Sequence, residues 1–452
     1  MSSLHTLLIR SSIYGKQNAS MQEFCYPPSN MRQVDVRDHL TLSAWRIDVE
    51  RGEILTRKPL DAGNREILPI LVPGLCDVQI NGYAGTDFNS DTLEEAAWHH
   101  AVASLLRDGC SAFCATLITC PLPSLQKRMR RICELMQNTP QCIGIHLEGP
   151  YLNPDTGTRG IHPEKHMLKK NLLTFLGAIA EYLDHVHLIT LAPESIEENE
   201  RAAFLSQCQK KGIRVCAGHS SARGNTLRDA INEGLFGWTH LGNAIGRNLD
   251  KFEYPFWDVL AHPHLRASLI PDSWHLPPAA FRVIAFALHT RMILTTDASA
   301  VAGSDHQNSL FLNDTPIQIK ISSENIECEP APLPMPIKFW GHWLEKKLEL
   351  DWERHASFIP HRPAKVPRVV NDENRLAGSA LRPLDAVWQA AWMLQVPWTL
   401  LWDTYSTQVF SHWLNPNLPR PISSQKAFYL VTPPQPTDTS LHLLPLDSSW
   451  RL

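Results

Sequence analysis

The 452-residue sequence lacks any unbroken apolar run approaching the ~20 residues that span a bilayer. Its longest apolar stretch, from about Ile67 to Cys76, is interrupted by two prolines and a glycine. An integral membrane protein is therefore not expected. No charge of one sign dominates either: 42 Lys and Arg face 46 Asp and Glu, a net charge of -4, which supplies no basic field for nucleic acid or an anionic membrane surface. The ten cysteines include no C-x-x-C pair, so the five that fall close together, Cys110, Cys114, Cys120, Cys133 and Cys142, read as small packing residues and not as a thiolate metal site. No G-x-G-x-x-G follows an early strand, which argues against a doubly wound nucleotide-binding sheet. No internal repeat or low-complexity tract stands out. The opening MSSLHTLLIRSS has too short an apolar core and no early basic cluster for a secretory signal, so a cytoplasmic location is expected.

What is present is an ordinary globular composition, 43% hydrophobic and 19% charged, with length enough for one large domain and a small accessory one. Up to about Ile70 the chain carries short strand-like runs such as LTLSAWRI and EILPILV without a helical period. After Pro73-Gly74 apolar strands alternate with helical stretches in close to eight units: CDVQI, SAFCATLIT, CIGIHLEG, HLITLAPE, RVCAGHSS, WTHLG, RASLIPD and RMILTTDA. Such alternation indicates a parallel sheet, and over this length a closed barrel. The expected fold is α/β: a (β/α)8 TIM-like barrel with a small β-sandwich module built from the N- and C-terminal segments. We assign residues 1–72 to the first part of that module, 73–415 to the barrel and 416–452 to the C-terminal return, through the strand-like KAFYLVT. Residues 304–370, Pro-, Trp- and charge-rich, read as an insertion that is peripheral to the barrel and either covers the pocket or contacts another subunit.

In such a barrel the chemistry lies at the C-terminal ends of the strands. Four polar residues end apolar strands: Glu148, His219, His240 and Asp297. One histidine at a strand end is commonly a hydrogen-bonded core residue. Two imidazoles, a carboxylate and a second carboxylate, each on a different strand, instead suit a divalent metal with an open water position and a nearby proton acceptor. His185 and His187 share an H-x-H spacing but open their strand, near the barrel bottom; His262 and His264 read as a surface turn. Among 14 tryptophans, Trp274 is the pocket candidate.

At these residues the sequence resembles the N-acetylglucosamine-6-phosphate deacetylase family of the amidohydrolase superfamily. The matching segments are LVPGLCDVQINGYAGTDFN (71–89), HLEGPYLNPDTGTRGIHP (146–163), TLAPE (190–194), AGHSSA (217–222), THLGNA (239–244), SLIPDSWHLPP (268–278), LTTDASAVAG (294–303) and LAGSAL (376–381), in the family's order. The resemblance implies one divalent metal ion, zinc first and iron second, on Glu148, His219 and His240. It implies Asp297 as the general base that later protonates the leaving amine, and His275 as the group that polarises the substrate carbonyl. His162, Asn243 and Ala244 resemble substrate contacts, the last two at the substrate's anionic end. The implied reaction is deacetylation of an N-acetylated amino sugar, N-acetylglucosamine 6-phosphate or a related sugar. The alternatives are another amidohydrolase acting on a different N-acyl or cyclic amide, or a non-catalytic sugar-binding relative. The expected partner is the small-molecule sugar, with homo-oligomers allowed.

Two departures matter. Much of the superfamily has H-x-H on the first strand for a second metal, where this chain has Gln79 and Asn81; amides bind such metals far less well than imidazole, so one metal is expected. The family's R-E-P-G after T-H-x-x-N-A, whose arginine grips the phosphate, is missing, and FEYP stands near its place. Two readings stay open: the sugar is unphosphorylated or carries its charge elsewhere, or Lys251, Arg247 or Arg382 takes over the role.

Overall fold

The computed structural model describes residues 31–50, 53–60, 68–246, 251–304, 310–313, 315–320, 355–414, 428–432, 438 and 440–445. The first described elements are β1 (Arg32–Asp38), β2 (Ala44–Glu50), β3 (Glu53–Pro59) and β4 (Ile70–Pro73). The chain then enters the barrel at β5 (Leu75–Ile80), followed by a two-strand excursion, β6 (Gly82–Tyr83) and β7 (Thr86–Asp87). The repeating units are α1 (Glu95–Arg107), β8 (Cys110–Ile118), α2 (Leu122–Met136), β9 (Cys142–Glu148), α3 (Leu172–Ala178), β10 (Val186–Leu191), α4 (Glu198–Lys210) and β11 (Arg214–Ala217). They continue through α5 (Gly224–Asn232), β12 (Gly237–Trp238), α6 (Pro255–Ala261), β13 (Arg266–Leu269), α7 (Pro278–Leu288) and β14 (Met292–Leu294). Beyond lie β15 (Leu310–Leu312), β16 (Thr315–Lys320), β17 (Arg368–Asn371), α8 (Pro383–Leu394), α9 (Trp398–Leu401), β18 (Phe428–Val431) and β19 (Leu443–Pro445).

Eight parallel strands run in the order β14-β13-β12-β11-β10-β9-β8-β5. Their sequences are apolar without alternation because both faces are covered, and all nine residues of β8 are buried. The helices outside follow the spacing that one buried face requires: α2 turns Leu125, Met129, Ile132 and Leu135 inward. The helix α8 is buried on every side, which matches its mostly apolar sequence. Between α1 and the barrel wall, Trp98 packs on Phe88 and Phe113 with ring centroids 4.9 and 5.8 Å away, and its indole N–H donates to Thr139 Oγ1 at 3.0 Å.

Asp77 joins the two outermost strands of this order, β5 and β14. Its carboxylate accepts from Thr295 Oγ1 (2.6 Å), the Thr296 amide (2.9 Å), the Gln79 amide (3.0 Å) and the hydroxyls of Thr296 and Tyr405. Ile80 bridges Ala298 in parallel, and the Asn81 amide donates to the Ala298 carbonyl at 2.8 Å. Burial pushes the Asp77 carboxyl up, and these donors pull against that shift.

The small module is a six-stranded sheet, β19-β18-β4-β1-β2-β3, in which β18, within KAFYLVT, pairs antiparallel with β4. The chain therefore returns at its C-terminal end to the strands with which it began. A second, facing sheet is not among the described residues. Trp402 fixes the junction, its indole donating to the Pro73 carbonyl at 2.7 Å.

Of the 304–370 segment, 305–309, 314 and 321–354 lie outside the described residues. Its flanks form the three-stranded sheet β15-β16-β17 and rest on the barrel rim, where Asn313 accepts from Arg128 Nη1 (2.6 Å) and donates to the Thr119 carbonyl (3.1 Å). Among the described residues no helix is long and apolar enough to cross a membrane.

Replacing Asp77 with alanine would strand buried donors from both ends of the barrel sheet, each costing about 1–3 kcal/mol. We expect D77A to lose at least about 3 kcal/mol of stability in urea unfolding. A loss under about 1 kcal/mol would show that the closure does not depend on this carboxylate.

Candidate active site

The candidate side chains leave the barrel at its C-terminal rim. Glu148 is the last residue of β9; His219 follows β11 by two positions, His240 follows β12 by two, and Asp297 follows β14 by three. Their strands end just before them because the backbone must turn: His219, His240 and Asp297 have φ of +49°, +35° and +52°. Such left-handed non-glycine backbone is unfavourable by about 1–3 kcal/mol per residue and persists where the surroundings impose it.

Glu148, His219 and His240 are buried, and one potential ligand atom from each lies within 4.8 Å of the others. Glu148 Oε1 is 2.9 Å from His240 Nε2 and 3.3 Å from His219 Nε2, while Oε2 is 3.7 Å from His162 Nε2. The carboxyl is held well below its usual range: burial opposes the charge, and the three imidazoles overcome that penalty. His219 is pushed down to about 4 by burial and by the neighbouring His162, so it is neutral at pH 7. Its Nδ1 faces the Thr158 carbonyl at 2.9 Å and must donate there, which leaves a bare lone pair on Nε2 facing a carboxylate oxygen. Two acceptors so disposed repel unless a cation sits among them. Three buried polar atoms of the cluster, His240 Nδ1, Gln79 Oε1 and Asn81 Oδ1, also lack a hydrogen-bond partner. The donor set, two imidazoles and one carboxylate, fits a divalent transition metal.

Asp297 faces this cluster. Asn81 Nδ2 donates to its Oδ1 at 2.7 Å, and Gln79 Nε2 lies between Asp297 Oδ1 (3.1 Å) and Glu148 Oε1 (3.0 Å). The two amides that replace H-x-H thus bind the acidic pair with hydrogen bonds. Asp297 is pushed up to about 7 by burial and the charge of Glu148, against the pull of His240, His275 and the Asn81 amide. In the loop after β13, His275 Nδ1 bonds Asp272 Oδ2 at 2.7 Å; Asp272 also accepts from Ser379 Oγ (2.8 Å) and from the Trp274 and His275 amides. Burial alone would lower His275, but the Asp272 charge and hydrogen bond, with Asp297, raise it.

Asn81, Glu148, His219, His240, His275 and Asp297 line one cavity of about 1610 Å³, open at the rim, which also takes in His162, Asn243 and Ala244. His162 Nδ1 lies 3.0 Å from Thr119 Oγ1, which fixes the ring. Lys251 is not among the lining residues: its ammonium sits 5.0 Å over the Phe252 ring. Arg382 is likewise elsewhere, paired with Asp385 at 2.7 Å, and Arg247 lies outside the described residues. Trp274 turns its indole N–H to the Val366 carbonyl at 2.7 Å instead of lining the cavity. His187 is buried at the start of β10 against the Ile143 carbonyl, away from the cluster. Sequence reading missed Thr158, which acts through a backbone carbonyl and leaves no side-chain signal. It also missed Asp272, legible in retrospect as an acid three residues before His275, and the cavity cations Arg223, Arg368 and Arg375.

The fold and this site define a (β/α)8 barrel with, among the described residues, one carboxylate–bis-imidazole cluster at the strand ends. Comparison narrows that class. No protein-family model matches the chain. The N-acetylglucosamine-6-phosphate deacetylase of Bos taurus is 35% identical over 245 residues, covering 52% of this chain and 58% of that one, and that of Homo sapiens is 33% identical over 255 residues, covering 54% and 60%. The N-acetylgalactosamine-6-phosphate deacetylase of Escherichia coli O157:H7 is 28% identical over 275 residues, 58% of this chain and 70% of that one. The chain thus matches about 60% of the length of the mammalian relatives. The barrel and module superpose on the deacetylase of Pasteurella multocida with a TM-score of 0.67 at 18% identity, covering 91% of this chain and 97% of that one. The Mycobacterium smegmatis enzyme in complex with N-acetyl-D-glucosamine-6-phosphate gives 0.68 at 18% identity, covering 92% and 98%. Over about half of its length the chain is thus similar to N-acetylglucosamine-6-phosphate deacetylases.

If Glu148, His219 and His240 hold one ion, H219A and H240A should each fold with wild-type circular dichroism and retain far less than one equivalent of metal by elemental analysis. Undiminished stoichiometry in both variants would remove these residues from the ligand set.

Proposed function

We propose that the protein is a metal-dependent hydrolase that removes the acetyl group from an N-acetylated amino sugar phosphate, giving the amino sugar and acetate. The observation that carries this reading is the convergence of a three-residue ligand set with Asp297 and His275 on one cavity. The curated relatives, named as deacetylases of N-acetylglucosamine and N-acetylgalactosamine 6-phosphates, supply the substrate class.

Glu148, His219 and His240 would hold the ion. Zinc is the first candidate and ferrous iron the second, since both accept this donor set. When bound, such an ion supplies Lewis acidity, making water more acidic and an amide carbonyl more electrophilic. Asp297 then takes the proton from the attacking water and delivers it to the departing nitrogen, a double role that suits a carboxyl held near neutrality. Asn81 and Gln79 donate to its Oδ1, fixing the carboxylate and leaving Oδ2 for the proton. His275, with Nδ1 committed to Asp272, uses Nε2 to steady the oxygen that gains charge. His162 and Asn243 would contact the sugar. Nothing in this chemistry requires a membrane or nucleic acid, and a cytoplasmic location suits a phosphorylated metabolite.

The test is acetate release from a panel of N-acetylhexosamines with and without a 6-phosphate, metal-loaded enzyme against metal-stripped. Release from none of them would reject the reading. Replacing Asp297 with asparagine should keep the metal and lower kcat by at least about a hundredfold, the usual scale of acid–base assistance. As the base must be ionised, wild-type kcat/KM should fall as pH drops through the Asp297 pKa. A cation beside Glu148 offsets the charge that raises that pKa, so the acid limb is expected at or below about pH 7. Turnover of D297N within a few-fold of wild type would exclude Asp297 as the base.

A further inference from the structure

Among the described residues three guanidinium groups line the cavity, those of Arg223, Arg368 and Arg375. They differ in what already holds them and in what they stand beside. Arg375 is engaged twice, with Glu373 at 2.7 Å and with the Gly160 carbonyl at 3.2 Å. Arg368 opens β17, its guanidinium carbon 6.0 Å over the Trp274 ring, on the side of the loop that carries His275. Arg223 belongs to the loop that carries His219. That loop is tied to the turn after His240, because the Gly246 amide donates to Ser221 Oγ at 3.2 Å.

This turn has the features of an anion seat. Asn243, Ala244 and Ile245 all line the cavity, and Ala244 has a φ of +50°. Among the described residues the amides of Ala244 and Ile245 have no hydrogen-bond partner. Left-handed turns that free consecutive amides bind anions. Arg223 donates to the Ser221 carbonyl at 3.4 Å and meets Glu253 at 3.3 to 3.4 Å, all long contacts, with the Arg223 and Glu253 side chains 37% and 67% exposed. An exposed pair of that kind contributes little, so the fork is available to a better acceptor. A phosphate suits it, since the planar guanidinium donates two parallel hydrogen bonds to one.

We propose that Arg223 is the specificity-determining cation of the site, gripping the phosphate of the sugar against the Ala244–Ile245 amides. The assignment rests on the functional reading above for the position of the sugar. It resolves the absence of an arginine from the FEYP region: the charge is supplied from the preceding loop, by a residue placed next to the same turn in space.

The experiment compares wild type, R223Q, R223K and R368Q, each checked for folding and metal content. Two ratios are read: kcat/KM for N-acetylglucosamine 6-phosphate over N-acetylglucosamine, and the Kd of glucosamine over that of glucosamine 6-phosphate by calorimetry. Wild type should prefer the phosphorylated compound in both. R223Q should lose about ten- to a hundredfold of each preference, mainly through KM, as expected when a charge-assisted hydrogen bond is removed. R223K, which keeps the charge without the fork, should fall between, and R368Q should keep the wild-type ratios. A wild type without preference, an R223Q that keeps its preference within about threefold, or the loss appearing in R368Q instead would overturn the assignment. The two readings separate cleanly: if no sugar releases acetate while R223Q loses the calorimetric preference, the deacetylase reading fails and Arg223 stands as the phosphate cation.

Discussion

A closed barrel exists only if its first strand meets its last, and here a buried carboxylate joins the two ends beside the Ile80–Ala298 bridge. Asp77 of β5 collects donors from Thr295, Thr296 and Tyr405, so the strand that begins the barrel is fixed to the segment that leads into Asp297. A charge buried this deeply is tolerated because its oxygens are saturated with hydrogen bonds. Two residues further along β5, Gln79 points its amide at Glu148 and Asp297, and Asn81 follows. The closure of the barrel and the arrangement of the acidic pair are therefore parts of one network.

Local strain accompanies that convergence. His219, His240 and Asp297 each adopt a left-handed backbone that a β-strand continuation would not need. The strain is held by interactions that leave no freedom to relax: the Thr158 carbonyl on His219, the Ser268 hydroxyl on the His240 amide at 2.9 Å, and the Ser379 amide on the Asp297 carbonyl at 2.9 Å. A cluster held in this way keeps its donor atoms in position, which lowers the reorganisation that binding a cation would require.

The two carboxylates of the cluster are driven in opposite directions by surroundings that differ in one respect. Glu148 is ringed by imidazoles and stays ionised. Asp297, equally buried, feels the charge of Glu148 and shifts upward toward the range in which a proton can be both taken and returned. Separated titration of neighbouring acids is a physical basis for distinct roles on similar side chains. His275 stands beside them with its pKa raised through Asp272 and Asp297.

The alternation of apolar strands and helices was enough to count the barrel, because strands buried on both faces must be apolar throughout and helices on its outside must show one buried face. It was enough as well to find Glu148, His219, His240 and Asp297, since a polar residue ending such a strand stands out in sequence. Other features were decided only by tertiary structure. Lys251, close to the histidine strand in sequence, turns to Phe252, whereas Arg223, which no motif marks, lines the cavity. Thr158 reaches His219 across 61 residues through a carbonyl that every residue possesses. Asp77 closes the barrel across 218 residues, with partners whose pairing has no local periodicity. Periodicity and strand ends are properties of neighbouring residues, so the sequence by itself determined them; which loop faces which cavity depends on contacts between distant segments, and only the folded chain decides those.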